Sequence, residues 1–243
     1  MRPDGRGPDD LRTVSFERDF TELAAGSVLV TMGRTKVLCT ASIDERVPRW
    51  MQGTGKGWVT AEYSLLPGST AERVDREAVK GKQSGRTQEI QRLIGRSLRA
   101  VTDRAAMGEV QVVLDCDVLQ ADGGTRTASV CGAYVALHDA LSRRAKQKGL
   151  AAHPVTEACA AVSVGVVDAV PMLDLEYSED VRAEVDMTVA MTSSGRFVEV
   201  QGTAEGMAFT KSELDELLSL AEHGIATILE LQAAVLAEPP EPR

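Results

Sequence analysis

One stretch limits the possible folds more than any other: an alternating segment, a double-glycine turn and an apolar run, in that order. In EVQVVLDCDVLQ (109–120) Val110, Val112, Leu114, Cys116 and Val118 take every second position, the period of a strand with one buried face. ADGGTR (121–126) is a tight turn, and TASVCGAYVALHDAL (127–141) is apolar almost all round, which marks a buried helix. A chain with such a strand–turn–helix at its centre needs further sheet and helix to cover it, so the class is α/β.

The flanking segments supply that material. SVLVTM (27–32) and TKVLCTAS (35–42) around Gly33-Arg34 read as a β-hairpin. Residues 51–82 carry glycines and charges and read mostly as loop, with a short strand near Trp58–Tyr63 and mobility expected at 68–82. Ile90, Leu93, Ile94, Leu98 and Val101 share one face of a helix expected from Thr87 to Val101. After Pro154 the pattern starts again. ACAAVSVGVVD (158–168) is a buried strand, and residues 172–192 and 196–202 hold strands joined by turns at 177–179 and 193–195. A last helix runs from about Ser212 to Leu236 behind a capping box of Thr210 and Glu213. Strand pairs followed by helices, twice over, imply two related lobes, 1–150 and 151–237, with 238–243 as a disordered tail.

Hydrophobic residues make up 43% of the 243-residue chain and aromatics only 4%, so Val, Leu, Ile and Ala must fill the core. No apolar run approaches the roughly 18–20 residues of a membrane span, and MRPDGRGPDD has no signal-like apolar stretch. The four cysteines lack metal or redox spacing and read as reduced core residues of a cytoplasmic protein. A net charge of −9 argues at first against a nucleic-acid partner. Residues 73–104 run against it, with nine Arg and Lys opposed by only four Asp and Glu. The acidic excess lies elsewhere.

Three segments could carry chemistry. GGTRTAS (123–129) opens a helix, where unpaired N–H groups and the helix dipole favour an anion. Gly123 and Gly124 admit close approach, Thr125 adds a hydroxyl and Arg126 a two-pronged charge. SGRTQE (84–89) is a second Gly- and Arg-bearing helix entry, with Arg86 just ahead of the helix. Arg92, Arg96 and Arg99 form a basic stripe on the same helix. The third segment is acidic. Asp186 alternates away from Val185, Met187, Val189 and Met191, and a two-residue loop at Ser194-Gly195 would set it opposite Thr203, beside GTAEG (202–206). Asp180, up to roughly 20 Å away along an extended chain, shares a site with it only if the chain turns between them. Two such carboxylates suit a Mg²⁺ or a proton transfer. An ordinary βα turn, a solvated arginine face and a solvated acidic edge strand fit the same residues, and spacing alone leaves these readings open.

Other chemistry finds less support. GTGKG (53–57) is not a phosphate loop, because Trp50 stands at the first Gly position and Gly57 at the Ser/Thr position. The three histidines are dispersed, which supports neither a triad nor a zinc site.

MRPDGR, GSVLVTMGRTKVLCTAS, GKGWVTAEYSLLP, SGRTQEIQRLIGRSLRA, LDCDVLQADGGTRTAS and VDMTVAM closely resemble ribonuclease PH, in order from residue 1 to about 235. The resemblance implies the ribonuclease PH fold, a hexamer of three dimers, and phosphorolytic trimming of tRNA precursor 3′ ends. It implies that Arg86, Gly124, Thr125 and Arg126 bind inorganic phosphate and that Asp180 and Asp186 serve a Mg²⁺-assisted catalytic step. Arg73 and Arg76 match basic loop positions that grip RNA, and Arg92 continues that surface. Gly68 stands where the family commonly has Arg, and Arg34 where an acidic or amide residue is common. Half of a polynucleotide phosphorylase, a catalytic archaeal exosome subunit and a non-catalytic ring scaffold are the alternatives. The absence of a module after residue 236 weighs against the first, and intact Arg86, Arg126, Asp180 and Asp186 against the last.

Overall fold

The computed structural model describes residues 2–205 and 208–242, so Gly206, the end of the GTAEG segment, lies outside the described residues. Its first sheet has five strands: β1 (Val14–Arg18), β2 (Gly26–Met32), β3 (Thr35–Asp44), β4 (Trp58–Leu65) and β5 (Gln111–Gln120), in the order β1-β2-β3-β5-β4. All neighbours are antiparallel except β4 and β5. Between β4 and β5 come α1 (Glu77–Lys80), α2 (Gly85–Ala100) and α3 (Arg104–Met107), and β5 leads into α4 (Thr125–Lys148). The second sheet, in the order β7-β6-β8-β9, consists of β6 (Cys159–Val167), β7 (Val170–Leu173), β8 (Val185–Thr192) and β9 (Phe197–Ala204). It carries α5 (Tyr177–Asp180) and α6 (Lys211–Leu236).

The central strand–turn–helix forms as its pattern dictates, and α4 is longer than its apolar run because it continues through the polar residues up to Gly149. It packs on β2 and β3 of one sheet and on β6 of the other. That double cover explains why Val130, Ala133, Leu137, Ala140 and Leu141 are all fully buried. Contact with the first sheet is too close for a side chain at Gly132, whose added Cβ would stand 2.6 Å from Val30 Cγ1. Its neighbour α2 lies on β4 with Ile90, Leu93, Ile94, Leu98 and Val101 inward, as expected from their spacing. On the second sheet α6 packs against β6, β7 and β8 and buries Leu217, Ala221, Ile225 and Ile228, one helical face. Its capping box is formed: Glu213 N–H donates to Thr210 Oγ1 at 3.3 Å, and Thr210 N–H to Glu213 Oε2 at 2.6 Å.

Four details differ from the sequence expectation. Gly85 and Arg86 lie inside α2, which Ser84 caps by accepting from Thr87 N–H, so Arg86 belongs to the first turn. A one-turn helix, α5, replaces the turn at 177–179. The β8–β9 turn lies at Ser193–Gly195 as expected but is a three-residue loop, not the two-residue loop Ser194-Gly195, and is closed by Thr192 N–H to Arg196 O at 2.9 Å. A bulge farther along compensates, and Asp186 pairs with Thr203 after all. The outward face of β8 is itself covered, with Thr188, Ala190 and Thr192 buried and Asp186 half-buried.

Residues 237–242 carry no regular structure, yet their backbone is tied down. Arg18 Nη1 donates to Glu238 O at 2.9 Å, and Arg143 Nε to Glu241 O at 2.8 Å. All four cysteines are buried free thiols. Burial pushes the Cys131 thiol up to about 12, so it stays protonated and inert. Among the described residues no helix is long and apolar enough to cross a membrane.

Candidate phosphate and RNA site

The site is built on the turn between β5 and α4. Gly123 and Gly124 both take left-handed conformations, at φ +75° and +66°. A Cβ on Gly123 would stand 2.7 Å from Leu175 O and 2.8 Å from Tyr177 N, so the turn of one lobe rests on backbone of the other. Gly124 is the N-cap of α4 and has no side chain to cap it, which leaves first-turn N–H groups to an anion. Gly123→Ala combines a forbidden conformation with a backbone clash. It should cost about 2–4 kcal/mol, readable as a lower midpoint in urea unfolding.

Thr125 is buried, and its Oγ1 lies 2.8 Å from the hydroxyl of Tyr63 on β4. Burial raises the Tyr63 hydroxyl above its ordinary pKa, while the Thr125 bond and the positive charges of Arg86 and Arg126 act against the rise. Both arginines therefore lie within electrostatic reach of one buried hydroxyl. Arg126 is further held 3.6 Å from Glu89 Oε1 and 3.5 Å from Gln201 Oε1. Tyr63 was not singled out by sequence reasoning; its inward position on an alternating strand next to the loop was the available signal. Tyr63→Phe should weaken phosphate binding several-fold, about 1 kcal/mol for one buried hydrogen bond, measured as KM for phosphate at saturating RNA.

The same cations act on Asp186 of β8. Burial raises its carboxyl pKa and so does the negative charge of Asp180, whereas Arg126 and Arg86 pull it down and Glu205 adds a small rise. Asp180, exposed at the end of α5, reaches the same neighbourhood because the chain does turn, with Ala183 N–H donating to Asp180 O at 3.2 Å. Cations of the first lobe thus act on a carboxylate of the second, with Asp180 as its like-charged neighbour. Among the described residues no cluster of three or more His, Cys, Asp or Glu side chains is set for a metal ion.

The basic segment divides. Its root is fixed: Ser69 is buried, and Ala121 N–H, just before the glycine turn, donates to Ser69 O at 2.8 Å. Farther out, Arg73 pairs with Asp75 at 2.9 Å, and Arg76 lines a recess of about 550 Å³ with Lys82, Asp115 and Asp117. The stripe on α2 splits as well. Arg96 pairs with Glu199 of β9, and Arg99 donates to Val59 O at 2.8 Å while its guanidinium lies over the Trp58 ring. Only Arg92 of the three stays open to solvent without such contacts among the described residues. Arg34 is exposed and stands 4.0 Å from Asp122, beside the glycine turn. His138 and His153, distant in sequence, do stack at 4.6 Å with Ser142 between them. His138 lies on α4 some turns beyond Arg126 and His153 follows the helix, and Asp139 beside them is held by Arg18.

Residues 10–142 match domain 1 of the 3′ exoribonuclease family, and residues 158–224 match its domain 2. Among solved structures, one similar chain is rice (Oryza sativa) Rrp46, with 16% identity, a TM-score of 0.78, and coverage of 97% of this chain and 100% of that one. A chain of the Archaeoglobus fulgidus exosome with RNA bound to the active site has 23% identity, a TM-score of 0.79, and coverage of 94% and 91%. A chain of an archaeal exosome core has 22% identity, a TM-score of 0.76, and coverage of 95% and 90%. At these identities the likeness is one of fold, and it spans both lobes. With both of its domains matched in order over most of the sequence, this chain belongs to the 3′ exoribonuclease family.

Proposed function

We propose that the chain is a phosphorolytic 3′-5′ exoribonuclease of the ribonuclease PH type, a tRNA nucleotidyltransferase that trims 3′-extended tRNA precursors and other RNAs. The observation that carries this reading is the α4 N-terminus left without a side-chain cap, with Arg126 standing 3.6 Å from Glu89 of α2 and the charges of Arg86 and Arg126 acting on Asp186 of the second lobe. Inorganic phosphate is the co-substrate, seated by Arg86, Gly124, Thr125 and Arg126. One of its oxygens attacks the terminal phosphodiester in line, the bond from phosphorus to the 3′ oxygen breaks, and the nucleotide leaves as a nucleoside diphosphate. The shortened RNA keeps the 3′ oxygen, which gains a proton. Arg86 and Arg126 neutralise charge on the transferring group. A phosphodiester is exchanged for a diphosphate linkage, so excess diphosphate drives the reaction backwards.

Asp180 and Asp186 suit Mg²⁺, because a carboxylate held above its ordinary pKa by burial and by a like-charged neighbour is relieved by a cation. One or two carboxylates plus substrate oxygens make a normal Mg²⁺ shell. When bound, the ion supplies electrostatic stabilisation at the departing oxygen. Arg73, Arg76 and Arg92 grip the RNA backbone. The enzyme works in the cytoplasm as a homohexamer, a trimer of dimers; likeness to exosome chains supports a ring, and the reduced thiols support the compartment.

Incubation of the protein with a 3′-extended tRNA precursor and Mg²⁺, with and without inorganic phosphate, tests this. Shortening that requires phosphate supports it. Shortening without phosphate means a hydrolase, and no shortening in either tube favours a scaffold that only binds RNA.

A further inference from the structure

The N-terminal arm crosses from one lobe to the other through buried ion pairs. Arg12 and Asp174 are almost wholly buried, with Arg12 Nε 2.9 Å from Oδ2 and Nη2 2.7 Å from Oδ1 of the same carboxylate. The remaining prong of the guanidinium, Nη1, donates to Asp122 O at 2.6 Å and to Gly123 O at 3.4 Å. One side chain thus holds the carbonyls of the glycine turn and the start of the segment that leads to α5. Arg2 makes the matching contact ten residues earlier. Its Nε and Nη2 reach the two oxygens of Glu179 at 2.7 and 2.8 Å, and Nη1 and Nη2 donate to Leu173 O and Asp174 O, both at 2.8 Å. Glu179 is buried and immediately precedes Asp180. Arg6 adds a bond to Asp174 O at 3.1 Å, and Leu173 N–H donates to Pro8 O at 2.7 Å.

These contacts cluster at a strained point. Asp174 has φ +53°, a conformation a non-glycine residue keeps only when its surroundings fix it. Burying two ion pairs costs desolvation that apolar packing would avoid, so stability alone is a poor reason for them. Planar, two-pronged geometry instead fixes distance and angle.

We propose that Arg12 and Arg2 are positioning residues: Arg12 with Asp174 sets the phosphate-binding glycine turn, and Arg2 with Glu179 sets the helix that presents Asp180. Neither touches substrate. The inference rests on the phosphorolytic reading and deepens it, because it divides the arm's effect between the two reactants. Arg12→Lys keeps the charge opposite Asp174 but loses the fork to Asp122 O and Gly123 O. Arg2→Lys keeps the charge opposite Glu179 but loses the carbonyl contacts of Leu173 and Asp174.

The test measures steady-state phosphorolysis of a 3′-extended tRNA precursor by the parent chain and both variants, together with the rise in melting temperature caused by inorganic phosphate. Misplacement of a reacting group by about 1 Å costs up to about 100-fold, so effects near tenfold are expected. Arg12→Lys should raise KM for phosphate about tenfold, with kcat changed less. It should also need about tenfold more phosphate for the same thermal rise. Arg2→Lys should lower kcat about tenfold, with KM for phosphate and the thermal rise unchanged. If the parent phosphorolyses RNA and both variants match it in kcat and KM, differing only in melting temperature, the arm is a structural strap and the inference fails. Identical shifts in the two variants overturn the division of roles. A parent chain that consumes no phosphate overturns the functional reading, and the inference falls with it.

Discussion

Arg126→Ala should lower phosphorolysis by about 10³-fold or more while leaving RNA binding nearly intact. The magnitude follows from what the guanidinium does. It is the charged group of the α4 first turn, largely shielded from solvent, and its charge is felt by both Tyr63 and Asp186. Charge builds on the transferring phosphoryl group in the transition state, and one well-placed arginine there is worth roughly 10³–10⁵ in rate. On the proposed reading Arg73, Arg76 and Arg92 bind the RNA body, so a filter-binding curve of the variant should overlay that of the parent. Arg126→Lys should recover only part of the loss, because an ammonium cannot present two parallel donors. Unchanged turnover in Arg126→Ala would remove the phosphate from this helix.

Asp186→Asn should cut the rate by about 10²–10⁴-fold and make the fold more stable at neutral pH. Burial and the charge of Asp180 hold this carboxyl above its ordinary value of 3.8, so the folded state binds this proton more tightly than the unfolded chain does. The sign follows by linkage. Stability from the raised pKa is fully present below the unfolded value and is lost as pH rises through the higher folded value. At pH 7 the ionised group is therefore a burden on the apo protein, and the neutral amide removes it. The expected result is a melting temperature above that of the parent at pH 7, with the gap closing as the pH falls through that window. A variant that loses both activity and stability would place Asp186 in a structural network instead.

Gain of stability with loss of function is the expected signature of a site strained for chemistry. The same cleft shows how far local pattern reaches. The β2–β3 hairpin, β5, the glycine turn and α4 were all legible, because alternation, turn chemistry and an all-apolar helix are local signals. Asp186 opposite Thr203 was legible too, although by a route the chain does not take: a longer loop and a bulge cancel. Its burial was not legible. The face of β8 that carries it is covered by elements of the other lobe, and alternation within a strand says nothing of such distant cover.

The arginine stripe of α2 is the converse case. Spacing placed Arg92, Arg96 and Arg99 on one side, but only the tertiary structure shows β9 and Trp58 taking two of them. Helices of four residues, α1, α3 and α5, are too short to leave a period. Arg12 and Asp174 are separated by most of the chain, and nothing in either neighbourhood announces a pair. Spacing left open whether the helix entries of Arg86 and Arg126 share an anion, which only the family resemblance implied; the packing of α2 against α4 is what brings the two helices together.

The most direct test of the central claim follows the phosphorus atoms. The protein, a 3′-extended tRNA precursor, Mg²⁺ and ³²P-labelled inorganic phosphate are incubated, and the released nucleotides are separated. Attack by phosphate predicts label in nucleoside diphosphates, all of it at the β position, with the α phosphorus coming from the RNA. Unlabelled nucleoside monophosphates would show water as the nucleophile and contradict the account.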